Sequence, residues 1–167
     1  MRVKSELKKK EERQIMEKAN DGDLLYRVEI RAPRSKVVST NSISSAMFGH
    51  PNEVRGAFYG MKLYLQKETA KWFKDHPCHL DQPVKEICTV GNPSGLFDPV
   101  NYHPSEKVIT DVLIKNGFLP DDNCDWIPFV TFQSFKGHKR KEWLFRLDFY
   151  ALTDWDREIM EDMEEGF

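Results

Sequence analysis

Apolar side chains recur along this chain with two periods, and the period assigns most of its elements. In residues 24–31 the side chains Leu24, Tyr26, Val28 and Ile30 alternate with Leu25, Arg27, Glu29 and Arg31. That is the period of two of a half-buried strand, closed by Pro33. From Val54 to Lys74 the period lengthens: Val54, Phe58, Met61, Leu65 and Trp72 fall at helical spacing, with Lys62, Lys67, Lys71 and Lys74 on other faces, so a long amphipathic helix is predicted. Residues 84–90, VKEICTV, read as a short strand leading into Gly91-Asn92-Pro93-Ser94-Gly95. A second helix is bounded by Pro104, where a first turn tolerates proline, and Gly117, where a helix ends. Its apolar face is Val108, Ile109, Val112 and Leu113, with Lys107 and Asp111 on the polar side. After the turn Leu119-Pro120-Asp121-Asp122-Asn123, the segment DWIPFVTFQSF reads as a strand, and Trp143, Phe145, Leu147 and Phe149 alternate through the last one. With the basic loop KGHKRK between them, these two strands are expected to pair as a hairpin.

Two stretches lack such a period. Residues 34–53 are rich in Ser, Asn and Gly and read as a loop holding at most a short helical turn. Residues 5–18, SELKKKEERQIMEK, are strong helix formers with few apolar anchors, hence an exposed helix or arm ending near Asn20-Asp21-Gly22. The order strand, helix, strand, helix, strand, strand predicts an α+β domain, a small mixed β-sheet with helices packed mainly on one face. Residues 1–22 form a charged N-terminal arm, 23–151 the domain and 152–167 an acidic tail.

At 167 residues there is material for one core and not comfortably for two. No run of 18 apolar residues and no apolar signal-peptide stretch occurs, so a cytoplasmic protein without membrane contact is expected. Cys78, Cys88 and Cys124 are odd in number and contain no close pair, which argues against a disulfide framework or a zinc knuckle and for buried thiols. The net charge of −2 is low for a nucleic-acid binder. Its distribution changes the picture: seven acids after residue 150 face Arg157 alone, so residues 1–150 hold 24 basic and 20 acidic side chains. The tail reads as a solvated helix or a frayed end; a sharper reading has it mimic phosphate and occupy the basic surface when DNA is absent.

Carboxylates beside turns are the candidates for chemistry, because Mg²⁺ takes hard oxygen ligands, often only one or two carboxylates alongside substrate oxygens and water. Asp98 and Asn101 precede the second helix, and Asp121 and Asp122 follow it. A helix of this length spans roughly 20 Å, so these groups meet only if the flanking segments fold back across it. Lys136, His138, Lys139, Arg140 and Lys141 form the densest basic cluster, suited to following phosphates or serving as a solubilising turn.

Read as one string, residues 98–127, DPVNYHPSEKVITDVLIKNGFLPDDNCDWI, resemble the core signature of RusA-like Holliday junction resolvases. The elements stand in order: Asp98-Pro99-Val100-Asn101, then Lys107, Asp111-Val112-Leu113, Gly117 and Asp121-Asp122. The resemblance implies a small α+β homodimer that binds branched DNA and nicks it as a Mg²⁺-dependent endonuclease, Mn²⁺ being a possible substitute. It implies Asp98 and Asp122 as catalytic metal-binding carboxylates, Asn101 and Asp121 as further metal-site groups, and Lys107 as a contact to the scissile phosphate. A lysine there stabilises developing negative charge without binding metal. Two departures distinguish this chain: Val100 stands where the best-known members carry a second acid, and Tyr102-His103-Pro104 lengthen the step to Lys107. His103 next to the metal, or as a cap or surface residue, are both open. The Asp-Pro-x-Asn form recurs among RusA-like sequences, common in phages and prophages. The alternative is a RusA fold that binds DNA or a protein without cutting.

Overall fold

A computed structural model describes residues 22–40, 51–93, 97–135 and 141–166. The elements are β1 (Leu24–Ala32), α1 (Pro51–Asp75), β2 (Val84–Gly91), α2 (His103–Lys115), β3 (Phe129–Ser134), β4 (Trp143–Ala151) and α3 (Asp154–Glu165), with 3-10 turns at Arg34–Lys36 and Pro99–Tyr102. The four strands form one mixed sheet in the order β1-β4-β2-β3. β4 runs antiparallel to both β1 and β2, whereas β2 and β3 are parallel. Parallel neighbours need a crossover, and α2 supplies it. The α+β expectation and the mixed sheet hold.

Alternation sorts the sheet into two faces. Val28, Ile30 and Ala32 of β1, Cys88 and Val90 of β2, and Phe145, Leu147 and Phe149 of β4 join Met61, Leu65 and Phe73 of α1 and Val108, Ile109 and Leu113 of α2 in one buried cluster. The opposite face carries Arg27, whose guanidinium pairs with Asp148 at 2.6 Å, and Lys85, whose ammonium reaches Asp156 of α3 at 2.8 Å. The acidic tail is thus a helix, fixed at its start by a reciprocal capping box between Thr153 and Asp156. No helix among the described residues is long and apolar enough to cross a membrane.

The hairpin expected of the last two strands does not form. β3 and β4 follow each other in sequence, but β2 lies between them. The reason is burial: Val84, Glu86, Cys88 and Val90 are all buried along β2, which takes partners on both edges, while Thr131, Gln133 and Ser134 leave β3 suited to an outer edge. Lys141 therefore leads into β4 and does not close a β3–β4 hairpin. The thiols also divide: Cys88 is buried, but Cys78 is half-buried and Cys124 exposed, because Cys124 sits in the turn rather than in the core. The charged arm expected over residues 1–22 lies outside the described residues except for Gly22.

Candidate functional site

α2 organises the candidate site because its two polar sides carry different groups. It ends as the sequence requires: Gly117 takes φ of 85°, its N–H bonds to the Ile114 carbonyl, and the Phe118 N–H returns to Leu113. Buried Phe118 and Leu119 then turn the chain back, placing the Asp121–Asp125 segment beside the helix. Within that segment the Asp121 carboxylate accepts from the Asp122 N–H at 2.8 Å and from Asn123 Nδ2 at 2.8 Å. Both oxygens of Asp121 hold the turn. Asp122 is left facing α2, where Lys107 Nζ pairs with its Oδ2 and, at 2.9 Å, with Asp111 Oδ1.

This triad brings together three signature residues from positions 107, 111 and 122. The Lys107 hydrogen bond holds the Asp122 carboxyl below its ordinary value, against the opposing effect of partial burial. Partial burial pulls Lys107 down, yet its bonds to Asp122 and Asp111 outweigh that and push it up. Both groups are charged at neutral pH, and half of the Lys107 side chain remains open to solvent.

Asp98 and Asn101 occupy a separate turn before α2. Asp98 Oδ1 accepts the Val100 N–H at 3.1 Å, and the Asn101 carbonyl accepts from Thr40 Oγ1 at 3.1 Å. Tyr102 pins this turn to the sheet by packing on Trp143, Phe97 and Phe145. No hydrogen bond or ion pair joins Asp98 to Lys107 or Asp122, and among the described residues no three His, Cys, Asp or Glu side chains are grouped to hold a metal ion. In kind the donors suit Mg²⁺: Asp98 Oδ2, the Asp122 carboxylate and the Asn101 amide oxygen are all hard oxygens. In arrangement Asp122 and Lys107 are paired, and Asp98 is bonded to neither. Of the basic cluster, Lys141 is exposed, and Lys136, His138, Lys139 and Arg140 lie outside the described residues.

The other polar side of α2 holds groups to which sequence reading assigned no role. Glu106 is buried against Glu86 of β2, itself fully buried. Thr110 Oγ1 donates to Glu106 Oε1 at 3.0 Å, and His103 Nδ1 lies 2.8 Å from Glu106 Oε2. Glu86 Oε1 accepts no hydrogen bond among the described residues. Burial, followed by the Glu106 charge, pushes the Glu86 carboxyl well up; burial also raises Glu106, opposed by Thr110 and His103. His103, its ring edge-on to Phe132, is therefore a partner of a buried acid. The signal was in the sequence: Glu86 takes an inward position in the register Val84, Glu86, Cys88, Val90, and Glu106 shares a helical face with Ile109, Thr110 and Leu113.

Compared with known proteins, the chain matches no family model and no curated protein.

Proposed function

We propose that this chain is a metal-dependent endonuclease that hydrolyses phosphodiesters in branched DNA such as Holliday junctions, working in the cytoplasm as a homodimer. The observation that carries the reading is the meeting of Lys107 with Asp122 and Asp111, three ordered positions of the RusA-like signature, in one solvent-accessible cluster. Bound Mg²⁺ would polarise a phosphate oxygen and lower the pKa of a coordinated water, with Asp98, Asp122 and the Asn101 side chain as its protein ligands. Lys107 serves the same phosphate by charge. Asp111 and Asp122 hold Lys107 protonated, and the 121–123 turn fixes Asp122 through the Asp121 carboxylate. The basic residues 136, 138, 139, 140 and 141 supply sequence-independent phosphate contacts. A twofold dimer presents two such sites to two symmetric strands.

A second reading, a protein that binds branched DNA without cutting it, is favoured by Val100, which stands where the resemblance expects a second acid. The deciding experiment is nicking of a labelled immobile four-way junction at low salt with Mg²⁺ or Mn²⁺, native protein against Asp122→Asn. Symmetric nicks that vanish in the variant support the endonuclease. Binding with no nicks under either metal moves the assignment to the non-cutting protein.

A further inference from the structure

Among the described residues the sheet ends on one side at β1, which pairs with β4. Its other backbone edge faces a groove of about 390 Å³ walled by α1, within the size range of natural binding clefts. Three consecutive residues, Glu29, Ile30 and Arg31, line it from the strand, which places the strand's own backbone along the groove. From α1 come Tyr64, Glu68, Trp72 and Asp75, and Tyr64 Oη donates to the Arg31 carbonyl at 3.0 Å, fixing the wall against the edge and occupying that one carbonyl.

Its charge is lopsided. Glu29, Glu68, Asp75 and Glu142 oppose Arg31 and Lys71, and the Glu68 and Glu142 charges, after burial, raise the Tyr64 hydroxyl. An exposed strand edge beside a helix is the geometry in which an extended peptide adds to a sheet: main-chain bonds hold it and flanking side chains select it.

We propose that the β1–α1 groove docks an extended, basic peptide segment of another protein, which joins the sheet as a strand alongside β1. The backbone pairing supplies the hold, and Glu68, Asp75 and Glu29 select lysine or arginine side chains. The groove lies on a different part of the molecule from Lys107 and Asp122 and does not depend on nuclease activity.

Fluorescence anisotropy of the full chain with short labelled peptides tests this, using three probes: one alternating Lys with Val, the same sequence with alternate backbone amides N-methylated, and one alternating Glu with Val. The Lys-Val peptide is expected to bind, the N-methylated form at least tenfold more weakly, and the Glu-Val form not measurably. Glu68→Lys combined with Asp75→Lys is expected to weaken the Lys-Val peptide at least tenfold. Hydrogen exchange should slow at amides within 27–31 when it is bound. No binding, equal binding of the N-methylated probe, or protection of residues 129–134 instead would each overturn the proposal; the peptide comparison holds whether or not the double variant folds well.

Discussion

At the scale of single residues, two lysine and glutamate environments make opposite demands. Lys107 is half exposed, so its pairs with Asp122 and Asp111 are screened and contribute about 1 kcal/mol or less. Lys107→Met should therefore leave thermal unfolding nearly unchanged while lowering junction nicking by roughly 100-fold, the scale of losing one charge-stabilising donor. Glu86 is the reverse case. Its folded carboxyl is raised by burial and by Glu106, so the folded state holds a proton that the unfolded chain releases. That favours folding at low pH, and the advantage is lost as pH climbs from the ordinary carboxyl value through the raised one. Glu86→Gln should flatten this slope and raise stability at pH 8, by roughly 1–3 kcal/mol, the cost of one unsatisfied buried polar group; unfolding curves across pH 5–9 would show it. Cys88 follows the same logic, since burial first and then the charges of Glu86 and Glu106 push its thiol up. Under native conditions iodoacetamide should label exposed Cys124 and spare Cys88, with mass spectrometry reading the difference.

Among the elements, those with a clean period were legible: the stretch from Val54 predicted α1, and the alternation from Trp143 predicted β4. Their apolar residues have one place to go, and local geometry suffices to say where. Pairing was not legible, because it depends on which strand needs burial on both edges, a property of β2 that only the assembled sheet displays. The same limit applied to the site. Lys107, Asp111 and Asp122 could be ordered by motif, but that Asp121 spends its carboxylate on the turn follows from backbone geometry no spacing encodes. Glu86 and Glu106 were readable in register but were passed over, since acids in a buried register are rare. At α3 the element is held by a cap and one ion pair more than by packing. Thr153→Ala should cost about 1 kcal/mol, typical of a lost N-cap, and should speed hydrogen exchange in residues 154–165 before any other helix.

At the scale of the whole molecule, charge is partitioned rather than neutral. The acids of α3 offset a body that is basic on balance, so a net value of −2 conceals the potential a phosphate backbone would meet. If residues 136–141 contact DNA, junction affinity should fall steeply with salt, by roughly tenfold between 50 and 200 mM for every two phosphates neutralised. Replacing Lys136, Lys139, Arg140 and Lys141 by Gln should flatten that dependence, measured by anisotropy against salt. The strand order has one more consequence, in time rather than space. Arg27 of β1 finds Asp148 of β4 across 121 residues, and β4, the last of the four described strands in chain order, sits between β1 and β2. Until it leaves the ribosome, neither strand has its central neighbour, and each is an open edge awaiting a partner. Folding of this sheet is therefore expected to await synthesis of β4 and to be slow for its size, and a chain cut short before residue 143 forms no sheet linking β1 to the rest.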